Sequence, residues 1–310
     1  MKKISIAGGC YNEAENIPEL YERCKAVLAE FPEYEYEFVI ADNLSTDGTR
    51  EVLRRIAAAD PNFKVILNAN NFGHIRSPYN ALINTSGDAV VMMCTDLQEP
   101  PEVIREFIRK WQEGYQVVVG VRSGTKAGFL MECLRKAYYR LLQYASGGQQ
   151  IISDFTGFGL YERCFIDAMK RYKEPYPYFR GLVSEIGFKR TEVAFVQDRR
   201  KHGRTKNNWF TLYDMAMTGF VNHTKLPLRL AAMAGFVTSL ISFITAAVYF
   251  TLKLCFWDTF QLGLAPLVIG MFFLSGIQLA FIGVLGEYLG AVWTQVKERP
   301  LVIEEERLNF

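Results

Sequence analysis

The chain has 310 residues, which is enough for about two domains, and half of these residues are hydrophobic. Its 35 basic and 33 acidic side chains leave a net charge of only +2, so composition gives no support for a nucleic-acid-binding protein. The six cysteines are scattered without a CxxC pair, which is typical of a reduced, cytosol-facing protein rather than a disulfide-stabilised one.

Up to about residue 120, short apolar runs alternate with stretches of helical periodicity. The predicted strands are residues 4–7, 37–41, 64–67, 89–93 and 117–119. The predicted helices are residues 15–31, 49–59, 75–84 and 102–113. Because strands and helices alternate, the fold class is α/β, with a parallel sheet covered by helices on both faces.

The next part of the chain is more basic and more aromatic. Residues 126–144 form a basic amphipathic pattern, which fits either a helix on a membrane surface or a helix packed on its own domain. Residues 151–195 are predicted to complete a first domain that spans residues 1–208. Residues 209–229 again have an amphipathic pattern, as expected of a juxtamembrane helix.

Two long apolar runs follow, residues 230–252 and 262–286, and neither contains a charged residue. Each exceeds the roughly 20 residues that cross a hydrocarbon core, which favours a transmembrane hairpin over a buried helix pair. Lys225 and Arg229 precede the first run, and Lys297 and Arg299 follow the second. This bias predicts an integral membrane protein whose N-terminal domain and tail, residues 287–310, face the cytoplasm.

Three polar segments follow predicted strands: Tyr11-Asn12-Glu13, the run from Asp42 to Thr49, and the run from Asp96 to Glu102. The carboxyl ends of parallel strands share one edge of the sheet, where ligands bind. The hard oxygens of Asp96 and Gln98 suit Mg²⁺ or Mn²⁺. Taken singly, each segment also fits a solvated turn or a helix cap.

Two common nucleotide-binding motifs are missing from the sequence. No GxGxxG and no GxxxxGK[ST] pattern occurs, which argues against NAD binding and against a P-loop.

Together, the YNE, DNLSTDGT and DLQEPPE segments closely resemble family-2 glycosyltransferases of the GT-A fold. The chain is similar, over nearly its whole length, to the membrane-anchored polyprenyl-phosphate sugar transferases, which include dolichol-phosphate mannose synthases and bactoprenol glucosyltransferases. The DLQEPPE run is the most specific of the three, since the other two are common across the larger family. Because the bacterial members carry the same two C-terminal spans, the resemblance implies a bacterial inner membrane.

This resemblance implies a Rossmann-like, mostly parallel catalytic domain with a nucleotide sugar and a divalent metal. The implied nucleotide-binding residues are Tyr11, Asn12, Glu13, Asp42, Asn43, Ser45 and Arg122. Asp96 and Gln98 would bind the metal, Mg²⁺ or Mn²⁺. Arg200 and Lys206, in a basic RxxGxTK-like loop, would grip phosphate, although such a loop also fits contact with anionic lipid.

The sequence departs from the family pattern at two places. Cys94 stands two residues before Asp96, where the family usually has a second aspartate. Gly157 occupies the usual position of another aspartate, and Asp154, three residues earlier, is the candidate that replaces it.

The resemblance implies inverting transfer of one sugar, from a UDP-linked hexose, to a polyprenyl phosphate. Two alternatives remain open: a processive polysaccharide synthase, and a catalytically silent membrane protein that binds sugar nucleotides. The expected partners are the nucleotide sugar, the polyprenyl phosphate and the membrane. The oligomeric state is left open, with a homo-oligomer in which residues 301–310 pair with a neighbour as one candidate.

Overall fold

The computed structural model describes residues 1–123, 152, 154–172, 177, 179–198, 226–256 and 264–310. The strands in these residues are β1 (Lys2–Cys10), β2 (Tyr34–Asp42), β3 (Phe63–Asn68), β4 (Ala89–Met92), β5 (Val117–Arg122), β6 (Phe155–Glu162), β7 (Arg190–Phe195) and β8 (Glu304–Leu308). The helices are α1 (Asn16–Leu28), α2 (Thr49–Ala59), α3 (Gly73–Ile83), α4 (Ile104–Gln112), α5 (Arg163–Lys170), α6 (Phe179–Ile186), α7 (Leu226–Cys255) and α8 (Leu264–Val296).

The strands form one sheet in the order β7-β5-β6-β4-β1-β2-β3-β8. The four neighbours β4, β1, β2 and β3 run parallel, as do β5 and β7. The expected α/β class is therefore confirmed, but the sheet is mixed. β6 and β8, which the sequence did not predict, are antiparallel to their neighbours.

Helices cover both faces of the sheet, and two large clusters of buried side chains form the core. One cluster contains Ile6 of β1 with Leu53 of α2 and Phe107 of α4. The other contains Ala7, the next residue of β1, with Tyr79 of α3 and Phe165 of α5. Successive residues of β1 thus face opposite sides, as the pleat of a strand requires.

The predicted strands all exist, although β1 and β2 extend several residues further at their ends. The predicted helix 102–113 is divided into a short 3₁₀ turn, Pro101–Val103, and α4. Helix α3 continues through Pro78, whose ring packs on β1: a Cβ at Gly9 would lie 2.6 Å from Pro78 Cγ. A glycine at this position lets α3 approach the end of β1 closely.

Helices α7 and α8 contain 30 and 33 residues, and their long apolar stretches are not buried by the described parts of the chain. A straight helix of 30 residues is about 45 Å long, which exceeds a membrane's hydrocarbon core. By length and composition both helices could cross a membrane, and their exposure argues against the alternative of a buried helix pair. Residues 126–144 and 209–225 lie outside the described residues.

The tail after α8 joins the sheet of its own chain. β8 pairs antiparallel with β3, with Leu308 opposite Val65. The side-chain amide of Asn309 donates to the carbonyl oxygens of Ala57, Asp60 and Phe63, which fastens the end of the strand. The tail segment, a candidate for pairing with a neighbour, thus has a partner strand within the same chain, and the oligomeric state stays open.

A buried carboxylate joins β1, β2 and β3 at the start of the sheet. Glu37 is almost fully buried and accepts hydrogen bonds from Ser5 Oγ at 2.6 Å, Ser86 Oγ at 2.9 Å and Lys64 Nζ at 2.7 Å. Burial alone would raise the pKa of Glu37, but these bonds outweigh it and lower the pKa to about 2.

We predict that Glu37 makes the fold sensitive to acid. Because its pKa in the folded chain lies below the ordinary value of 4.5, its contribution to stability is complete above about pH 4.5 and is lost as the pH falls towards 2. Glu37→Gln should lower the free energy of unfolding by about 3 kcal/mol at neutral pH, since it leaves Lys64 without its charged partner. It should also flatten the acid limb of stability.

Thermal unfolding of the detergent-solubilised protein between pH 2.5 and 7.5 measures both effects. Glu35→Gln, an exposed glutamate on the same strand, is the matched control. An equal response of the two variants to pH would contradict the role of Glu37.

Candidate functional site

The three predicted polar segments meet at the carboxyl edge of β4, β1 and β2. Cys10, the last residue of β1, lies opposite Asp42, the last residue of β2. Ala7 of β1 lies opposite Met92 at the end of β4, and Thr95 Oγ1 donates to the carbonyl of Gly9 at 3.1 Å. The parallel register therefore brings the three segments together.

The first two segments interlock through their polar groups. The Asn12 amide N–H donates to Ser45 Oγ at 2.9 Å, and Asn12 Oδ1 accepts from the Thr46 N–H at 2.8 Å. The Glu13 N–H donates to Thr49 Oγ1 at 2.9 Å. Asn12 has a φ of 59°, a conformation that asparagine tolerates better than most residues. Asn12 and Ser45 thus hold the two loops as one unit.

Asp42 is completely buried beneath these loops. Its carboxylate accepts from the Ser45 N–H at 3.1 Å and from Arg50 Nε at 2.7 Å, in an ion pair whose arginine is 14% exposed. In this structure Asp42 holds the turn at Ser45 and the guanidinium of Arg50. Direct contact between Asp42 and a nucleotide stays a prediction.

Two other predicted nucleotide-binding residues also have internal partners. The amide of Asn43 donates to Asn71 Oδ1 at 2.7 Å and accepts from the Phe72 N–H at 2.8 Å, which fixes the loop before α3. Glu13 is 8% exposed, and its carboxylate accepts from the side chain of Asn16. Tyr11 is only half-buried, so among these residues its side chain is more accessible at the site.

The loop after β4 presents Asp96 and Gln98, both half-buried. The Gln98 N–H donates to Asp96 Oδ1 at 3.2 Å, and Leu97 between them has a φ of 58°. This tight turn brings a carboxylate and a carboxamide to the same short loop. Cys94, at the start of the loop, is exposed.

Glu99 anchors this loop from below. It is 3% exposed and accepts from the Cys94 N–H and from Thr156 Oγ1, both at 2.7 Å. Burial raises the pKa of the Glu99 carboxyl to about 7, against the lowering effect of these two hydrogen bonds. The bridge connects the loop after β4 with the beginning of β6.

The antiparallel strand β6 begins at the same edge, because its direction is opposite to that of β4. The Arg122 N–H, at the end of β5, donates to the carbonyl of Asp154 at 3.2 Å. Arg122 Nη1 donates to Gln197 Oε1 at 3.0 Å, and the Asp198 N–H donates to the carbonyl of Gln98 at 3.1 Å. Arg122, Asp154 and Gln98 therefore belong to one region around the loop after β4.

The structure leaves two predicted phosphate-binding residues untested. Arg200 and Lys206 lie outside the described residues. Asp198, the last described residue before them, is the one bonded to Gln98, so the chain enters the basic run from the edge of the site.

The donor chemistry of the loop fits a hard divalent ion. Asp96 offers a carboxylate and Gln98 an amide oxygen, but no group of three or more His, Cys, Asp or Glu side chains suited to a metal occurs among the described residues. Mg²⁺ commonly binds through one or two carboxylates, with phosphates and water completing its shell. The residues present therefore fit a metal that is held jointly with a phosphorylated ligand.

Sequence reasoning missed Arg50 and Glu99 as parts of the site. Arg50 directly follows the DGT segment and Glu99 lies inside the DLQEPPE run, so both were adjacent to recognised residues. Their roles depend on burial and on partners from distant segments, which local sequence patterns do not report.

Comparisons with known proteins agree on the family. Residues 5–165 match the model of Glycosyl transferase family 2. An uncharacterised glycosyltransferase, YkcC of Bacillus subtilis, is 38% identical over 98% of this chain and 94% of its own length. A prophage bactoprenol glucosyl transferase homologue of Escherichia coli is 32% identical over 97% of this chain and 98% of its own length.

Among solved structures, the chain resembles glucosyl-3-phosphoglycerate synthase of Mycobacterium tuberculosis, determined in complex with Mn²⁺, UDP-glucose and phosphoglyceric acid. The TM-score is 0.51, with 18% identity over 71% of this chain and 78% of the other. At this identity the likeness concerns the fold alone, and it is consistent with the GT-A architecture expected from the sequence.

We predict that Cys94→Asp strengthens metal binding. The substitution places a second carboxylate two residues before Asp96, and additional carboxylate ligands raise affinity for hard cations. The dissociation constant for Mn²⁺, measured by calorimetry in the presence of UDP, should fall by roughly tenfold.

Cys94→Asn is the matched control, since it has nearly the same shape as aspartate without the charge. If Asp and Asn at this position gave the same Mn²⁺ affinity as the wild type, Cys94 would not lie in the metal shell.

Proposed function

Because the chain belongs to Glycosyl transferase family 2, we propose that it transfers a single sugar from a nucleotide donor to a polyprenyl phosphate at a membrane surface. One observation carries the choice of acceptor. The relatives named bactoprenol glucosyl transferases match the chain from the catalytic domain through both exposed apolar helices and the tail. A membrane lipid with a phosphate headgroup can reach a site held at that surface.

The donor proposed is a UDP-linked hexose, with glucose as the first candidate because these relatives are named glucosyl transferases. Tyr11, Asn12 and Glu13, with Asn43 and Ser45, would bind the nucleotide along the edge of β1 and β2. Asp42 would act beneath them, since its carboxylate is already bonded to Ser45 and Arg50.

Asp96 and Gln98 would hold the divalent metal, Mg²⁺ or Mn²⁺. A bound divalent ion supplies a positive charge for the diphosphate that leaves the sugar. Arg122, Arg200 and Lys206 would add cations for the two phosphorylated substrates, whose negative charges otherwise repel each other.

The acceptor needs positioning more than activation. A lipid phosphate is ionised at neutral pH, so no side chain has to remove a proton from its attacking oxygen. Asp154, beside Arg122, would therefore help to position the acceptor rather than serve as an essential base. A single displacement at the anomeric carbon inverts its configuration, and we propose that outcome here.

The proposed location is the cytoplasmic face of a bacterial inner membrane. The positive charges that flank the two apolar runs, Lys225 and Arg229 before the first and Lys297 and Arg299 after the second, support a cytoplasmic position for the catalytic domain and both termini.

The function is tested with the purified protein in nanodiscs, supplied with UDP-glucose, Mn²⁺ and undecaprenyl phosphate. We expect release of UDP and formation of one glycolipid that carries a single hexose of inverted configuration, identified by mass spectrometry and NMR. A panel of other sugar nucleotides distinguishes the donor. Lack of any glycolipid across the panel would contradict the proposal, and a product with many hexoses would favour a processive synthase.

We predict that Asp96→Asn lowers kcat by about 100-fold, because a neutral amide binds a divalent metal more weakly than a carboxylate does and leaves the charge of the metal unbalanced. Steady-state release of UDP measures the change. Glu106→Gln, which removes an exposed carboxylate from α4, is the control and should retain activity. Unchanged kcat of Asp96→Asn would contradict the role of Asp96 in metal binding, whereas nucleotide binding without any release of UDP by the wild type would support a protein that binds sugar nucleotides without catalysis.

A further inference from the structure

The tail strand β8 reaches the candidate donor site through one arginine. Each of the three guanidinium nitrogens of Arg50 donates one hydrogen bond. Nε donates to the Asp42 carboxylate at 2.7 Å, Nη1 to Glu305 Oε2 at 2.8 Å, and Nη2 to the Asn68 carbonyl at 2.6 Å. A planar guanidinium with three anchors has a fixed orientation. Arg50 therefore links the end of β2, the end of β3 and the tail.

An irregularity in the pairing of β8 sets the direction of Glu305. Leu67 lies opposite Glu306, whereas Asn68 lies opposite Glu304, so Glu305 has no residue opposite it in β3. An extra residue of this kind bends a strand and redirects a side chain. As a result the neighbouring residues Glu305 and Glu306 both reach α2, where they pair with Arg50 and Arg54.

The ion pairs Arg50–Glu305 and Arg54–Glu306 differ in whether the arginine also contacts a buried group. Arg54 and Glu306 are 44% and 41% exposed, and their pairing ends at the surface of the protein. Arg50 is only 14% exposed, and behind it lies Asp42, which is fully buried and holds the turn at Ser45. A displacement of Arg50 would therefore change the conformation of the loop that contains Ser45, whereas a displacement of Arg54 would not.

We propose that Glu305 is a positioning residue for the nucleotide donor. It fixes Arg50, Arg50 fixes Asp42, and Asp42 keeps the Ser45 loop in the shape that binds the nucleotide. This inference rests on the proposed function, since it requires a nucleotide at that loop. Only eight residues separate Glu305 from the end of α8 at Val296, so the strand that orders the donor site is attached directly to the membrane helix.

The test compares Glu305→Ala with Glu306→Ala in the full-length protein in nanodiscs. Glu305 is 53% exposed, so Glu305→Ala should raise the KM for UDP-glucose by roughly fivefold, near the upper limit for one ion pair with an exposed partner. Its kcat and its KM for undecaprenyl phosphate should stay within twofold of the wild type. Glu306→Ala, which removes a carboxylate from the adjacent residue, should leave all three constants unchanged.

Three further measurements separate positioning from a general loss of stability. The melting temperatures of the two alanine variants should be similar, because both remove one partner of a surface-exposed pair. Glu305→Gln retains an acceptor oxygen for Arg50 and should restore part of the donor KM. In an Arg50→Lys background, Glu305→Ala should have no additional effect, because its influence passes through the guanidinium.

The outcomes distinguish the inference from the function on which it rests. Equal donor KM values for the two alanine variants, or additive effects of Glu305→Ala and Arg50→Lys, would overturn the positioning role while leaving the transferase intact. UDP binding measured by calorimetry provides a readout without turnover. A wild-type protein that neither forms glycolipid from any donor nor binds UDP would overturn both proposals.

Discussion

The buried carboxylate of Asp42 is the contact on which the site depends. Burying an ionised carboxylate costs folding free energy unless the group is paired with a cation and hydrogen-bonded. Asp42 accepts a hydrogen bond from the Ser45 N–H and forms an ion pair with Arg50. To reach Asp42, Arg50 has to lie against the end of β3, and it meets the tail there. Satisfying one buried charge thus orders a loop, a helix terminus and the edge of the sheet together.

The exposed surface of α7 and α8 imposes a second constraint. Two long helices with unburied apolar side chains are stable only if lipid or other apolar surface covers them. The chain after α8 returns at once to the sheet as β8, so the helix pair is joined to the catalytic domain through the domain's own core edge. A transferase whose acceptor is a lipid benefits from such an arrangement, because the donor site is then tethered to the membrane that contains the acceptor.

Much of the fold could be predicted from the sequence because its signals are local. The apolar runs of β1 to β5 and the helical periodicity of α1 to α4 arise from residues within each element, so the α/β class and the first five strands were predicted correctly. The strands β6, β7 and β8 were not predicted, and for β6 and β8 the reason is physical. β6 contains two glycines, and Glu304–Leu308 is so rich in charge that only pairing with β3 makes it a strand.

For the candidate site, too, some features follow from the sequence and others only from the tertiary structure. Sequence determined which groups were available: the YNE, DNLSTDGT and DLQEPPE segments, the missing aspartate at Cys94, and the two apolar runs. Their chemistry follows from residue type and short spacing alone. Tertiary structure decided that Asp42 and Asn43 are buried and bonded within the protein, whereas Tyr11, Asp96 and Gln98 are only half-buried at the edge of the sheet. It also brought in Arg50, Glu99 and Glu305. Burial and long-range pairing depend on segments up to 255 residues apart in the chain, and no local pattern contains that information.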